Sequence, residues 1–402
     1  LRSLVGSEMC IRDRRFHGLE FSPNHNSQKM NSTNLKKTNI LGKTLPEMEE
    51  LLVNLGQKSY RAKQILKWIH QRGICNFDDM TDLSKELRSI MQDNFIIEAP
   101  KISYEELSED GTKKWILDVG NQDSVEMVLI PEGKRATLCV SSQVGCAINC
   151  SFCATGKQGF SRNLEVSEII GQVWLAANSY GVPRTANDKN ITNVVMMGMG
   201  EPLHNFDPVV SAMNIMLDEN AYGLSKRKVT LSTSGLVPEI NKLGKVSDVS
   251  LTISLHAPND ELRNTLVPVN KKYPIQLLLD AVKNYVEGCD DRRITTIEYI
   301  LIDKVNDTLE LAKELADLLT QIKCKINLIP FNEFNESDYL QPSGNRIRKF
   351  KDYLVKRGYV TTIRSTRGDD IMAACGQLVG QVNDKTRRKE RIQRAKIEAQ
   401  SI

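Results

Sequence analysis

Residues 138–156 read LCVSSQVGCAINCSFCATG, and this stretch decides the fold. It opens with an apolar run that is typical of a buried strand. A loop follows in which Cys146, Cys150 and Cys153 are spaced by four and three residues. Cysteine thiolates bind zinc ions and iron–sulfur clusters. The stretch therefore predicts a strand that leads into a metal site.

The number of cysteine ligands separates three kinds of metal site. A structural zinc site needs four ligands, usually from two paired knuckles, and the sequence has no second knuckle. Three cysteines can instead hold three irons of a [4Fe–4S] cluster and leave the fourth iron open to a small chelating molecule. Cys139, seven residues before Cys146, would close that cluster as a fourth ligand. The spacing favours the open cluster, with zinc and the closed cluster as alternatives.

Apolar runs alternate with helical patterns over much of the chain. Six runs are short and are interpreted as strands, at 136–142, 193–198, 229–234, 250–255, 296–302 and 325–330. Strands that alternate with helices are typical of a parallel α/β fold. None of the six is followed by GxGxxG or GxxxxGK[ST], which argues against a dinucleotide fold and a P-loop. We therefore expect a barrel or a partial barrel.

Two smaller units precede the predicted barrel. Residues 45–98 have a helical pattern with several lysines and arginines on its polar face. Such a face is usually a solvated surface, and docking of nucleic acid is the functional alternative. Apolar runs at 113–119 and 125–130 flank the turn sequence GNQD, which predicts a β-hairpin extension.

These patterns divide the chain into four parts. We expect a disordered or non-native leader at 1–29, a helical domain of RNA-binding type at 30–100, the hairpin and barrel at 101–381, and a basic tail at 382–402. From residue 385 onward the tail has seven basic and two acidic residues. A charge run of this kind is typically a solvated helix or a disordered end, and here it would contact RNA phosphates.

Composition limits the class of protein. A hydrophobic content of 40% with 26% charged residues is ordinary for a globular chain. The sequence has no run of about 18 apolar residues, so we expect no membrane span. The net charge of +4 is too small to identify a polyanionic partner. Nine cysteines in so long a chain do not indicate a disulfide scaffold, which favours a reducing, cytoplasmic compartment.

The three clustered cysteines, with Phe152 before the last, resemble the signature of the radical S-adenosylmethionine (SAM) superfamily. The resemblance implies a [4Fe–4S] cluster whose open iron chelates the amino and carboxylate groups of SAM. It also implies that an electron from the cluster cleaves SAM to a 5′-deoxyadenosyl radical. The superfamily's partial (β/α)6 barrel agrees with the six predicted strands.

Six motifs narrow the resemblance to the bacterial dual-specificity ribosomal and transfer RNA adenine-C2 methyltransferases. They are LCVSSQVGCAINCSFCATGKQGFSRNL, GMGEPL, LSTSG, ISLHAPND, INLIPFN and RGDDIMAACGQL, in the order of the family. The resemblance extends from about residue 45 to 381. It implies that carbon 2 of adenosine is methylated in 23S rRNA and in tRNA (position 37).

The resemblance gives roles to three residues. Cys375 would accept a methyl group from one SAM, and the radical from a second SAM would abstract hydrogen from that S-methyl group. The methylene radical would then add to carbon 2 of adenine, which is electrophilic and cannot itself attack SAM. Cys139 would resolve the protein–RNA adduct through a transient disulfide with Cys375. Glu126 would remove the proton at carbon 2.

Without the resemblance, these side chains have ordinary interpretations. Cys375 and Cys139 fit small buried thiols. Glu126 alternates with Val125 and Met127, which is typical of a solvent-facing strand carboxylate. A working base at that position would need a raised pKa or an enforced geometry.

The resemblance also implies a SAM site. Gly200 and Glu201 follow the strand at 193–198, where glycine permits close approach of the backbone and the carboxylate can accept hydrogen bonds from the ammonium of SAM. The other matching positions lie at or near the carboxyl ends of strands, where barrel sites form, and are Ser232, Ser254, Leu255, His256 and Asn332. His256 alone would also fit a structural histidine.

Two other activities are alternatives. Carbon-8 adenosine methyltransferases share the cluster and both reactive cysteines, but Pro202, Pro330 with Phe331, and the RGDD sequence at 367–370 resemble the carbon-2 branch. A non-catalytic iron–sulfur RNA-binding protein is the second alternative. The resemblance further implies an electron donor such as flavodoxin, no membrane partner and a monomer.

Overall fold

A computed structural model describes residues 37–179, 191–289, 291, 293–388 and 390. The predicted leader at 1–29 and residues 391–402 of the predicted tail lie outside the described residues. Within the described part of the chain, no helix is both long and apolar enough to cross a membrane.

The N-terminal unit consists of three helices and a two-stranded parallel sheet. Its elements are β1 (Thr38–Asn39), α1 (Leu45–Asn54), α2 (Arg61–Leu66) with a π-helical continuation (Lys67–Gln71), a 3-10 turn (Phe77–Asp79), α3 (Lys85–Asn94) and β2 (Phe95–Ile96). Helix α1 begins at a cap in which Glu47 accepts a hydrogen bond from Thr44 N (2.8 Å). Ser84 caps α3 by accepting a hydrogen bond from Leu87 N (3.2 Å). The predicted helical pattern is confirmed.

The predicted hairpin is part of a three-stranded antiparallel extension. Its strands are β3 (Lys101–Leu107), β4 (Lys113–Asp118) and β5 (Ser124–Glu132). The hairpin of β4 and β5 is confirmed, whereas β3 was not predicted as a separate strand. Most of β3 is exposed, so its side chains do not show the alternation of a half-buried strand.

Residues 138–156, the stretch that decides the fold, follow the extension and lead into the barrel. Strand β6 (Arg135–Cys139) is the first strand of the barrel. It pairs antiparallel with β5 of the extension and parallel with the next barrel strand, at Asn193–Met196. The cluster loop, defined as residues 146–153, lies between β7 (Gln143–Gly145) and the short helix α4 (Ala154–Gln158). Strand β8 (Phe160–Asn163) then returns to pair with β7, so the loop is closed at its base by a small antiparallel sheet.

The barrel contains all six predicted strands in parallel and in chain order. After β6 come β9 (Asn193–Met196), β10 (Val229–Thr233), β11 (Ser250–Ser254), β12 (Thr295–Leu301) and β13 (Cys324–Pro330), with the short, unpredicted β14 (Thr361–Ile363) beside β13. The intervening helices are α5 (Val166–Asn178), α6 (Phe206–Leu217), α7 (Val237–Leu243), α8 (Asp260–Leu266), α9 (Ile275–Glu287), α10 (Leu309–Leu318) and α11 (Gly344–Lys356). Short 3-10 turns lie at Pro202–Asn205, Pro268–Lys271 and Leu319–Gln321. In the ten-stranded sheet of the described residues, β3 and β14 are the edges, so the barrel is partial.

The N-terminal unit contacts the barrel through polar groups as well as apolar packing. Trp174 of α5 donates a hydrogen bond to Ile69 O (2.8 Å), and Gln71 donates one to Glu219 O after α6 (2.8 Å). Burial lowers the pKa of His70 to about 3, so this side chain is neutral where it meets Tyr222. These contacts hold the unit against the outer helices of the barrel.

A fully buried arginine holds the loops at the carboxyl ends of β10 and β11. Arg263 donates to the backbone oxygens of Ser234 (2.6 Å), Ser254 (3.2 Å) and Leu255 (2.9 Å), and to the side chain of Asn270 (2.7 Å). A buried charge is tolerated where hydrogen bonds satisfy it. Arg263 thereby positions two of the strand ends that line the functional site.

We expect Arg263→Met to destabilise the protein by about 3 kcal/mol, because the change leaves buried carbonyl oxygens without donors. The free energy of unfolding in urea would measure the loss. Arg348, which is exposed on α11, provides the matched control, and Arg348→Met should change stability by less than about 0.5 kcal/mol. Equal stability of the two variants would contradict the positioning role of Arg263.

Candidate active site

A cavity of about 150 Å³ lies at the carboxyl ends of the barrel strands. Nine of the thirteen predicted site residues line it, namely Cys146, Cys150, Cys153, Gly200, Glu201, Ser232, Ser254, His256 and Cys375. The other four, Glu126, Cys139, Leu255 and Asn332, do not line this cavity, and their surroundings are described below. The fold thus brings together residues that are more than two hundred positions apart in sequence.

The cluster loop presents three thiols to this cavity. Its backbone is fixed by hydrogen bonds from Cys146 N to Gly159 O (2.6 Å) and from Ser151 N to Leu266 O (3.1 Å). Burial raises the pKa of Cys146 to about 12 and raises the pKa of Cys150 and Cys153 as well. The proximity of Cys146 and Cys153 to Cys150 raises its pKa further. These buried thiols become good ligands only when a bound cation stabilises their thiolate forms.

The chemistry of this donor set fits a cluster. Among the described residues, no group of three or more His, Cys, Asp or Glu side chains is arranged to hold a single metal ion. Three thiols that each bind a different iron need not converge on one point. Cys139 does not line the cavity that the three thiols share, so no observed contact supports it as a fourth ligand.

Gly200 and Glu201 form a tightly packed turn beside the thiols. Gly200 has a φ of +100°, and a Cβ at this position would lie 2.5 Å from Cβ of Gln143, so only glycine fits. The Glu201 carboxylate accepts hydrogen bonds from Ser234 N (2.8 Å), Ser234 Oγ (2.7 Å) and Leu203 N (3.1 Å). A carboxylate has about four acceptor positions. The protein therefore orients Glu201 and leaves it capacity for one further donor.

Serine and histidine side chains form the opposite wall. The hydroxyl oxygens of Ser232 and Ser254 lie 3.5 Å apart on β10 and β11. His256 has a φ of +65°, and its Nδ1 accepts a hydrogen bond from Ile300 N (3.0 Å). Burial, with Arg263 nearby, lowers the pKa of His256 to about 3. The imidazole is therefore neutral with its proton on Nε2, which makes this atom a donor at neutral pH.

Leu255 contributes through its backbone. Its side chain is fully buried, Leu255 N donates to Glu298 O (3.0 Å), and its carbonyl oxygen accepts from Arg263. No side-chain contact with the cavity is present. Leu255 thus holds its neighbours Ser254 and His256 in place.

Cys375 lies on a loop that the barrel holds from two sides. Asn332 Nδ2 donates to Cys375 O (3.0 Å), and Ala154 N, directly after the cluster loop, donates to Gly376 O (2.8 Å). Asn332 and Cys375 also line a smaller cavity of about 20 Å³ together with Arg364. Asn332 therefore contacts the backbone of Cys375 instead of lining the larger cavity.

Cys139 is buried at the end of β6, within electrostatic range of Cys375. Burial raises the pKa of Cys139 to about 12, and the Cys375 thiol raises it further, whereas the Arg364 guanidinium opposes the shift. Burial also raises the pKa of Cys375, and Arg364 again opposes it. Arg364 Nη1 lies 3.6 Å from a carboxylate oxygen of Glu298, which lines the larger cavity.

Neither Arg364 nor Glu298 was predicted as a site residue from the sequence. A signal for Glu298 was present, because a carboxylate stands inside the apolar run at 296–302. Arg364 follows β14, which was not predicted, so its position at the barrel edge had no sequence signal.

Glu126 is buried on β5, so the solvent-facing interpretation is wrong. Its carboxylate accepts a hydrogen bond from Val379 N (3.0 Å) and lies 3.7 Å from Lys114 Nζ. Burial raises the pKa of Glu126 to about 7, and the attraction of Lys114 partly offsets this shift. Val379 belongs to the segment that follows Cys375, so Glu126 contacts this segment directly. Its pKa is thus raised, and its carboxylate is fixed by the hydrogen bond from Val379 N.

Two family models match the chain. Residues 38–97 match the N-terminal domain of ribosomal RNA large subunit methyltransferases, and residues 140–319 match the radical SAM superfamily. The first match coincides with the N-terminal helical unit, and the second covers the cluster loop and most of the barrel.

Curated relatives match over nearly the whole chain. A protein of Marinobacter nauticus is 58% identical over 356 residues, which cover 89% of this chain and 96% of the relative. A protein of Marinomonas sp. is 57% identical over 361 residues, which cover 89% and 97%. A third, from Pseudomonas fluorescens, is 56% identical and covers 90% and 94%. All three are named dual-specificity RNA methyltransferase RlmN.

A solved structure supports the same assignment. The crystal structure of a radical SAM methyltransferase from Sphaerobacter thermophilus matches with a TM-score of 0.78 and 42% sequence identity. The match covers 85% of this chain and 99% of that one. The chain belongs to the RlmN family of radical SAM RNA methyltransferases.

Proposed function

We propose that this enzyme methylates carbon 2 of adenosine in 23S rRNA and in tRNA, with Cys375 as the methyl carrier. One observation supports this proposal above the others, namely that the Cys375 thiol lines the same cavity as the three cluster cysteines and the Gly200–Glu201 turn. The name of the relatives, dual-specificity RNA methyltransferase, supports two classes of RNA substrate. The ligand cysteines must stay reduced, which favours the cytoplasm.

The cofactors of the proposed enzyme are a [4Fe–4S] cluster and SAM. Cys146, Cys150 and Cys153 would hold the cluster, and together the bound groups supply a methyl group and a carbon-centred radical. Glu201 would accept a hydrogen bond from the SAM ammonium, because its carboxylate is already oriented by Ser234. The neutral His256 and the paired hydroxyls of Ser232 and Ser254 would donate to polar groups of SAM. We propose an electron donor such as flavodoxin and a monomeric enzyme.

Cys375 must act as a thiolate when it takes the methyl group, because a thiol is a poor nucleophile. Burial disfavours the thiolate, and Arg364 favours it. Asn332 would hold the Cys375 backbone while SAM and then the RNA base approach the sulfur. The proposed role of Asn332 is thus to position the methyl carrier.

Resolution of the protein–RNA adduct would use the second buried thiol. The Cys139 thiolate attacks the sulfur of Cys375, a disulfide forms, and the electrons of the carbon–sulfur bond leave with the methylene carbon. That carbon takes up a proton and becomes the methyl group of the product. Glu126 accepts the proton from carbon 2, and its pKa of about 7 suits both uptake and release of a proton near neutral pH.

Product analysis tests the proposed function. Anaerobically reconstituted protein would be incubated with SAM, dithionite and either an rRNA fragment or tRNA, and the nucleosides analysed by mass spectrometry. We expect 2-methyladenosine from both RNAs together with 5′-deoxyadenosine. Formation of 8-methyladenosine would show the carbon-8 activity instead, and absence of 5′-deoxyadenosine would support the non-catalytic alternative.

We expect Cys139→Ala to accumulate a covalent protein–RNA adduct through Cys375, because the adduct then lacks its resolving thiol. Denaturing gel electrophoresis and mass spectrometry of the crosslinked peptide would measure it. Cys324, a partly buried cysteine on β13 with no proposed role, provides the control. Cys324→Ala should form no lasting adduct, and an adduct-free Cys139→Ala enzyme would exclude the resolving role.

We expect Glu126→Gln to lower the turnover rate at pH 8 by about 10²- to 10⁴-fold, which is the usual contribution of a general base. In the wild type, the rate of the step that depends on Glu126 should rise as pH increases through about 7 and then level off. The reason is that only the ionised carboxylate accepts a proton. Rapid-quench kinetics between pH 6 and pH 9 would record the profile.

Glu106, which also lies near Lys114, provides the control for the loss of a negative charge beside this lysine. Its carboxylate lies 3.8 Å from the same Lys114 Nζ but is more exposed than that of Glu126. Glu106→Gln should leave the rate and the pH profile almost unchanged. An unchanged profile in Glu126→Gln would show that another group accepts the proton.

A further inference from the structure

The segment that follows Cys375 runs along helix α4, which directly follows the cluster loop. Thr155 Oγ1 donates to Leu378 O (2.7 Å), and Gln158 Nε2 donates to Gly380 O (2.7 Å). Further along, Lys385 N donates to Phe160 O (3.0 Å). We call residues 376–388 the C-terminal strap, because hydrogen bonds attach it to α4 and β8 over its length.

The strap ends in an arginine that binds the cluster loop. Arg388 Nη1 donates to the carbonyl oxygens of Cys146 (2.8 Å) and Gly156, and Nη2 donates to Ala147 O (3.2 Å). The side chain is 9% exposed, although it belongs to a basic run. This guanidinium therefore joins the two ends of the segment that carries the three ligand thiols.

Asp384 fixes the approach of Arg388 to the loop. Its carboxylate accepts hydrogen bonds from Phe160 N (3.1 Å), Thr386 N (2.8 Å) and Arg388 N (2.5 Å). The prediction of a solvated charge run is therefore wrong for Arg388, which is buried. Lys385 and the neighbouring Arg387 of the same run are exposed.

We propose that Arg388 is a positioning residue for the cluster: it fixes the backbone of the cluster loop and adds a permanent positive charge beside the ligand thiolates. The inference deepens the proposed function, since it takes an iron–sulfur cluster to be what Cys146, Cys150 and Cys153 bind.

Geometry and charge both support this role. A guanidinium is planar, carries several donors and stays charged at every physiological pH, so it can satisfy three carbonyl oxygens at once. Thiolate ligands and a reduced cluster accumulate negative charge, and a nearby cation favours the more negative, reduced state. Groups that orient metal ligands typically change metal affinity by about 10- to 100-fold when removed.

Arg388→Gln tests the proposal. Arg387→Gln is the control, because it removes one positive charge from the preceding residue, which is exposed. In the metal-free chain, hydrogen exchange of the amides at 146–156 should become faster in Arg388→Gln only. In anaerobically reconstituted protein, a chelator should remove iron about 10- to 100-fold faster from Arg388→Gln. A redox titration followed by electron paramagnetic resonance should give a more negative midpoint potential.

Two further variants separate geometry from charge. Arg388→Lys keeps the positive charge but loses the planar set of donors that reaches three carbonyl oxygens. Amide exchange at 146–156 should therefore become faster, while the midpoint potential stays near the wild-type value. Unchanged exchange together with a shifted potential would contradict the proposal. Asp384→Asn keeps Arg388 but weakens its anchor, and it should also accelerate exchange at 146–156. If Arg388→Gln folds poorly, the exchange rate in Asp384→Asn tests whether Arg388 fixes the backbone of the cluster loop.

Two failures are distinguishable. If Arg388→Gln matches Arg387→Gln in exchange, iron loss and potential, the proposed role of Arg388 is wrong. If the wild type takes up no iron and sulfide, the proposed function is wrong, whereas amide exchange in the metal-free chain still tests how Arg388 holds the loop.

Discussion

Three thiols on one short loop can share a cluster only if the backbone of that loop is held in place. Here the restraint comes from hydrogen bonds made by distant segments. Gly159 O accepts from Cys146 N, and Leu266 O accepts from Ser151 N. Arg388 donates to carbonyl oxygens at both ends of the segment 146–156. The position of each thiol therefore depends on the folded barrel, and the rest of the site is arranged around this loop.

Burial has opposite consequences for the acid and for the thiols of the site. It raises the pKa of Glu126 to about 7, which suits a base at neutral pH. The same effect raises the pKa of Cys139 to about 12, which makes the thiolate scarce. Arg364 opposes this shift at Cys139 and at Cys375, and it lies 3.6 Å from Glu298. One half-buried cation thus partly offsets the effect of burial on both thiols.

Much of this arrangement could be predicted from sequence because its signals are local. Apolar runs predicted all six barrel strands, and cysteine spacing predicted that Cys146, Cys150 and Cys153 share one site, where all three line the same cavity. Arg388, Arg364 and the contact between Asn332 and Cys375 had no such signal, because each depends on a partner far along the chain. The exposed strand β3 was missed for a related reason, since few of its residues are buried and no alternation marks it.

The extension contributes to the site by holding the loop of Cys375 at both ends. Before the cysteine, Ser108 donates to Asp370 (2.6 Å), and Lys114 donates to Ile371 O. After it, Val379 N donates to the Glu126 carboxylate (3.0 Å). A carboxylate accepts hydrogen bonds more strongly than a neutral carboxyl group. Protonation of Glu126 therefore weakens the hydrogen bond that this side chain accepts from Val379 N, and with it one of the contacts between the extension and the loop of Cys375.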